Sequence, residues 1–180
     1  DAVAVDINAQ LAILADGMGG YNAGEVASSM ATDFIRTEMA RWLAYAGPSV
    51  QPIDVRRALE ICVDNANQAI WGTALSNPRY TGMGTTLVVG VFRGDRLILG
   101  HIGDSRCYRL RDGVLQQITH DHSLLQEQLD AGLLTPQQAA ASTHRHLVTR
   151  ALGVEPSVQM DVNEFQVAPE DLFLMCSDGL

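Results

Sequence analysis

The sequence predicts an α+β domain built as layers of sheets and helices. Three observations carry that expectation: two successive segments with helical spacing of apolar residues, four β-rich runs joined by very short links, and a return to strand at the C-terminal end. At 180 residues, 47% hydrophobic and 18% charged, the chain has material for a substantial core, so folding requires neither disulfides nor a structural metal. This ordinary globular composition, without repeat or low-complexity tract, excludes disordered, collagen-like and coiled-coil classes.

The elements follow in order. Residues 1–5 read as a strand. Leu11-Ala12-Ile13-Leu14-Ala15 is a short apolar run halted by Asp16-Gly17-Met18-Gly19-Gly20, hence a buried strand ended by a turn. Residues 25–44 form a helix with an apolar stripe of Ala27, Met30, Ala31, Phe34, Ile35 and Trp42, interrupted by Glu38. Gly47-Pro48 breaks the chain. Residues 54–74 form a second helix with a cleaner stripe: Val55, Ala58, Leu59, Cys62, Ala66, Ala69 and Ile70. Beyond residue 85 the period changes. Runs 85–92, 96–102, 106–110 and 114–118 are separated by Arg93-Gly94-Asp95, Gly103-Asp104-Ser105 and Arg111-Asp112-Gly113, which is hairpin chemistry and predicts one antiparallel meander. Arg93-Gly94-Asp95 could be read as an adhesion tripeptide, but a turn here demands the same composition. Residues 123–131 and 136–141 read as short helices, and 160–167 and 172–176 as strands.

Charge and cysteine content narrow the function. With 12 basic against 21 acidic residues and a net charge of −9, phosphate-backbone binding is excluded as the main activity and no nucleic-acid partner is expected. Cys62, Cys107 and Cys176 are odd in number and dispersed, which excludes a paired disulfide framework and a thiolate zinc site and points to a reducing, cytoplasmic compartment. No apolar run approaches the roughly 20 residues of a membrane span.

One local design recurs. Three apolar strands run into an aspartate flanked by small residues: Asp16-Gly17, Gly103-Asp104-Ser105 and Ser177-Asp178-Gly179. A single Asp-Gly is ordinarily just a turn, the reading given to Asp112-Gly113 and Gly94-Asp95. Small neighbours let a ligand approach, and glycine exposes its carbonyl. Should the three converge, two carboxylates 4 Å apart repel by about 4 kcal/mol at an effective dielectric of 20, so the cluster needs a cation or a proton. All-oxygen ligands suit Mg²⁺ or Mn²⁺ better than zinc, and such ions can acidify a water for attack on phosphorus.

Five segments occur together in one order: Leu14-Ala15-Asp16-Gly17-Met18-Gly19-Gly20, Ala23-Gly24-Glu25-Val26-Ala27-Ser28, Met83-Gly84-Thr85-Thr86, Gly103-Asp104-Ser105-Arg106 and Ser177-Asp178-Gly179-Leu180. In these the chain closely resembles the metal-dependent serine/threonine protein phosphatases of type 2C in their bacterial form. The resemblance implies two antiparallel β-sheets forming a sandwich flanked by helices, a four-layer αββα arrangement, with a two-metal centre at one end. It implies that Asp16 bridges both core ions, Gly17 offers its carbonyl to one, Asp178 holds the second, and Asp104 holds a third, weaker ion. Asp1 matches a position behind the ligands. Asp16 and Asp178 are thus the catalytic candidates, with Mn²⁺ or Mg²⁺ as cofactor.

The resemblance also shows departures. The family's upstream phosphate-binding arginine, the acidic residue before the Asp1 position and the later Asp-Asn pair have no counterpart in residues 1–180. The chain therefore reads as a single catalytic domain clipped N-terminally and truncated before its C-terminal metal-ligand segment. Met18 stands where many eukaryotic members carry a histidine, which leaves the leaving-group acid unassigned. Residues 120–153 resemble a flap bordering the active site. There His120, His122, His144 and His146 form two His-x-His pairs, either a soft-metal site or loop-capping or solvent-exposed histidines. His101 reads as a satisfied strand residue, and Arg145 and Arg150 as phosphate contacts or structural ion pairs. The expected function is hydrolysis of phosphoserine and phosphothreonine on proteins, a Ser/Thr kinase among them, by a monomer. The alternatives are a catalytically inactive regulatory or binding module with the same fold, and a related phosphatase acting on an anti-sigma antagonist.

Overall fold

A period of two along the central strands decides which side of the larger sheet each residue meets. From Leu87 to Arg93, Leu87, Val89 and Val91 join one core cluster while Val88 joins another. From Arg96 to Ile102 the sides alternate again, with Leu97 and Leu99 on one face and Ile98 and Ile102 on the other. A sheet buried on both faces needs a covering layer on each, and the chain supplies both.

The computed structural model describes residues 1–20, 22–140 and 147–180. In chain order the strands are β1 (Ala2–Asp6), β2 (Leu11–Ala15), β3 (Gly17–Met18), β4 (Gly84–Thr85), β5 (Leu87–Arg93), β6 (Arg96–Ile102), β7 (Arg106–Arg111), β8 (Val114–Gln117), β9 (Asp161–Gln166) and β10 (Leu172–Cys176). The helices are α1 (Ala23–Ala46), α2 (Pro52–Ser76), α3 (Leu124–Asp130) and α4 (Pro136–Ala140), with a 3₁₀ turn at Pro78–Tyr80. The larger sheet has the order β1-β2-β5-β6-β9, the smaller β10-β7-β8, and β3 pairs with β4. Every pairing is antiparallel. The α+β class with antiparallel sheets is the one expected from the sequence. No helix among the described residues is long and apolar enough to cross a membrane.

Helices α1 and α2 cover one face of the larger sheet. The buried line of α1 runs through Ala27, Ala31, Ile35, Met39 and Leu43, a spacing of four that bypasses Glu38. The predicted stripe was rotated: Met30, Phe34 and Trp42 are only partly buried, whereas Met39 and Leu43 are core. In α2 the predicted Val55, Leu59, Cys62, Ala66 and Ile70 are buried, as are Val63, Asn67 and Ala74. Proline at the first turn of α2 suits a position with no helical N–H bond to lose.

The smaller sheet covers the other face. Val88, Leu97, Leu99 and Cys107 form the inter-sheet core, with Phe92, Phe165, Phe173 and Met175 packed against it. Phe92 and Phe173 meet edge to face, their centroids 5.5 Å apart. Gly90 makes room for Met175, since a Cβ there would lie 2.8 Å from Met175 Cε. The outer face of the smaller sheet leaves Leu115, Leu172 and Leu174 exposed.

The meander expected over residues 85–118 is not one sheet. Strands β5 and β6 form one hairpin and β7 and β8 another, and the two belong to different sheets. Strand β6, buried from Leu97 to Ile102, is central and takes β9 as its second neighbour. Asp112-Gly113, both at positive φ, make a true two-residue turn closing Arg111 onto Val114. Gly103, at φ 97°, instead carries the chain from one sheet to the other.

Leu59→Ala, at a fully buried core position, is expected to lower stability by about 2–5 kcal/mol, whereas Ile61→Ala on the exposed side should change it by less than about 0.5 kcal/mol. Urea unfolding of the two variants measures the difference.

Candidate functional site

Residues that follow three strands meet at one edge of the sandwich. Asp16 follows β2, Asp104 lies in the crossover after β6, and Asp178 follows β10. The carboxyl groups of Asp16 and Asp178 lie close enough to repel one another and, once one of them is protonated, to share a hydrogen bond. Burial, repulsion from Asp178 and repulsion from Asp104 hold the Asp16 carboxyl above the ordinary aspartate range. Asp104 is also raised, first by burial and then by Asp178, while its own backbone N–H and Arg106 act to lower it. The structure thus brings together three aspartates singled out in the sequence. Asp1 stands beside them, its carboxylate accepting a 3.0 Å hydrogen bond from Ser177 Oγ.

Neutral groups hold the backbone of this cluster. The Asp16 N–H donates to Thr86 Oγ1 at 3.0 Å, and the Asp16 carbonyl accepts from Thr86 N–H and Thr85 Oγ1, both at 2.9 Å. Thr86 Oγ1 also lies 2.7 Å from Ser105 Oγ, so one hydroxyl links the turn carrying Asp16 to the turn carrying Asp104. The Thr85-Thr86 pair was visible as part of a motif, but its role as a clamp was not assigned. The available signal was a hydroxyl residue beside each apolar strand.

Glycine is required at Gly17 by close approach. A Cβ there would fall 1.9 Å from the Gly24 carbonyl oxygen, and a Cβ on Gly24 would fall 2.6 Å from the Gly17 oxygen. The start of α1 therefore rests directly on the Gly17–Met18 peptide.

Beside the aspartates lies a cleft of about 520 Å³ lined by Asp104, Arg106, Tyr108, Asp121, Cys176 and Asp178 among others. Arg106 is committed to Asp121, donating from Nε at 3.0 Å to both carboxylate oxygens and from Nη2 at 2.6 Å. Asp121 is buried and also accepts from Gln117 Nε2 at 2.8 Å.

The histidines divide. His120, exposed, pairs with Asp130 at 2.7 Å. His101 is buried, with Nε2 2.7 Å from the His120 carbonyl and Nδ1 without a hydrogen-bond partner, so the expectation of a fully satisfied strand residue holds for one nitrogen only. Its ring stacks on His122 at 4.7 Å and 15°. His101, His122 and Asp161 place potential ligand atoms within 4.8 Å of one another. Near-parallel rings direct their in-plane lone pairs side by side rather than at one point, and Arg150 already neutralises Asp161 at 3.0 Å. That arrangement is a hydrogen-bonded stack and does not suit a cation. Of the two readings of Arg150, the ion pair is the one formed. His144, Arg145 and His146 lie outside the described residues.

The donor set of Asp16, Asp104 and Asp178, all oxygen and mutually repelling, fits a hard divalent cation. The family described as Protein phosphatase 2C matches residues 1–180. The serine/threonine protein phosphatase PstP of Mycobacterium tuberculosis is 42% identical over 175 residues, 96% of this chain and 32% of that protein. The serine/threonine phosphatase stp of Listeria monocytogenes is 35% identical over 173 residues, 96% of this chain and 67% of that protein. The chain thus spans about a third of the length of the first relative and two thirds of the second. A crystal structure of the M. tuberculosis phosphatase PstP/Ppp superposes with a TM-score of 0.88 at 38% identity, covering 99% of this chain and 72% of that one. The catalytic domain of PstP in complex with two manganese ions gives a TM-score of 0.81 at 40% identity, covering 99% and 70%.

Thr86→Val is expected to destabilise the protein by about 1–3 kcal/mol, because the Asp16 N–H and the Ser105 hydroxyl lose their partner in a buried site. Thr86→Ser should recover most of that loss in thermal melts. A second expectation follows from the raised Asp16 carboxyl. A carboxyl raised on folding contributes stability below its unfolded value near 3.8 and loses it as pH rises through the folded value. With chelator present, Asp16→Asn should therefore melt higher than the wild type at pH 7, and the gap should close below about pH 4. Melting curves across that range test it.

Proposed function

Since the chain belongs to the Protein phosphatase 2C family, we propose that it hydrolyses phosphoserine and phosphothreonine on proteins, using divalent cations held at the aspartate edge. The observation that carries this reading is the convergence of Asp16, Asp178 and Asp104 from three distant strand ends, with burial and mutual repulsion raising Asp16 and Asp104. Such a cluster is costly without cations and well suited to them.

In this reading Asp16, the Gly17 carbonyl and Asp178 hold two core ions, Mn²⁺ or Mg²⁺, and Asp104 holds a third, weaker one. Asp1 acts from behind through Ser177, beside Asp178. The manganese reported for the related PstP catalytic domain supports the choice of metal. When bound, the ions would polarise the phosphoryl oxygens and lower the pKa of a water. The residues of the chain contribute position. Thr85 and Thr86 lock the Asp16 peptide, the Gly17–Gly24 contact fixes the carbonyl, and Arg106, committed to Asp121, shapes the cleft wall. The proposed substrates are phosphorylated proteins, with a Ser/Thr kinase among them, in the cytoplasm. Residues 120–153, of which 141–146 lie outside the described residues, are read as the flap, with Asp121 in the cleft wall.

Phosphothreonine-peptide hydrolysis with Mn²⁺ is expected and should be lost in excess chelator. Asp16→Ala should remove activity and tight metal binding together. Asp178→Ala should weaken one core ion, and Asp104→Ala should slow turnover while sparing both tight ions. Calorimetric titration paired with steady-state rates measures all three, and activity persisting in chelator would reject the metal mechanism.

A further inference from the structure

His122 is buried, and its ring and its backbone are both engaged. Its Nδ1 accepts the Gly103 N–H at 3.1 Å, its backbone N–H donates to the Gly103 carbonyl at 2.9 Å, and its own carbonyl accepts from Thr149 N–H at 2.9 Å. The two peptide groups flanking the Gly103 Cα are therefore both tied to one residue. That sets the rotation about both backbone bonds of Gly103, which otherwise has the freedom of a residue without a side chain. Thr86 closes the opposite side, since a Cβ on Gly103 would lie 2.7 Å from Thr86 Cγ2.

The next peptide carries Asp104. Its oxygen is the Gly103 carbonyl held by His122, and its N–H is the group that hydrogen-bonds the Asp104 carboxylate. Turning this peptide turns the carboxylate. The ring of His122 is itself oriented: with Nδ1 accepting, a neutral ring carries its proton on Nε2, which lies 3.2 Å from Asp161 Oδ2 and 3.3 Å from Arg150 Nη1, and Arg150 Nη1 donates to Asp161 Oδ1 at 3.0 Å. Burial lowers the His122 pKa and favours the neutral ring that can accept at Nδ1.

We propose that His122, set in one tautomer by Asp161 and Arg150, is a positioning residue for the Gly103-Asp104 turn and through it for the weak cation site. The role toward the cation rests on the reading of Asp104 as a ligand, whereas the role toward the turn does not. The logic matches outer partners that orient metal ligands elsewhere, here acting on a peptide group rather than on the carboxylate.

Two substitutions separate positioning from packing. Asparagine can place its amide oxygen where Nδ1 stood but falls short of Asp161. Glutamine fills more of the ring's volume and reaches toward Asp161 but offers nothing at Nδ1. His122→Asn is expected to keep weak-site Mn²⁺ affinity within about threefold of wild type, whereas His122→Gln should lose about tenfold or more with the tight ions retained. In metal-free protein the Gly103 amide should exchange faster in the Gln variant than in the Asn variant, read by NMR. The wild-type imidazole ¹⁵N spectrum, which needs no substitution, should show the Nε2–H tautomer. Equal or better performance by Gln, or an Nδ1–H tautomer, would overturn the proposal. If Asp104→Ala leaves every metal affinity unchanged, the reading of Asp104 as a ligand fails, and Gly103 exchange still judges the positioning role.

Discussion

Mutual repulsion among carboxylates is the constraint around which this edge of the molecule is organised. Asp16, Asp104 and Asp178 come from segments far apart in sequence, and folding raises the proton affinity of Asp16 and Asp104 by burial first and then by the charge of Asp178. Such a cluster does not assemble through its own attraction. It is held by neutral groups that grip peptide units: Thr85 and Thr86 on Asp16, Ser105 against Thr86, and His122 on both sides of Gly103. Those bonds fix where the acidic groups stand without removing their charge.

The arginines near this edge are engaged elsewhere. Arg106 forks onto Asp121 and Arg150 pairs with Asp161; away from this edge, at the far end of the smaller sheet, Arg111 pairs with Asp171. Each pair ties a loop to a strand. Arg106 and Asp121 join the first residue of β7 to the segment leading into α3, and Arg150 with Asp161 joins the first residue of β9 to the chain before it. The half-exposed Arg150–Asp161 pair contributes modestly to stability, whereas the Asp121 and Asp171 side chains are buried and each would be left without its charged partner if its arginine were removed. Buried packing supplies the rest, with helices on one side of the larger sheet and the Phe92–Phe173 contact on the other.

Much of the architecture was legible because local periodicity reports local burial. The strands 11–15, 96–102 and 172–176 lie where their apolar runs place them, and both long helices extend only a residue or two beyond their expected ends. The stripe of α1 was misjudged because Met39 and Leu43 continue a spacing of four while Phe34 and Trp42, large and apolar, lie at the edge of the same face. The meander was misread for a deeper reason. Gly103-Asp104-Ser105 has the composition of a hairpin link, like Arg93-Gly94-Asp95, yet one crosses between sheets and the other closes a hairpin. Composition reports that the chain can turn, and the neighbours available decide where it goes.

The sequence by itself determined the element types, the three strand-to-aspartate junctions and the family, because propensity, apolar spacing and motif order are properties of short segments. Only the tertiary structure decided that Asp16, Asp104 and Asp178 share one edge, that the β-rich run divides between two sheets, and that Asp161 and Arg150 stand behind His122. Each of these depends on pairing across long stretches of chain. Repulsion between carboxylates, stacking of two imidazoles and the tautomer of His122 arise only once those distant segments lie within a few ångströms of one another.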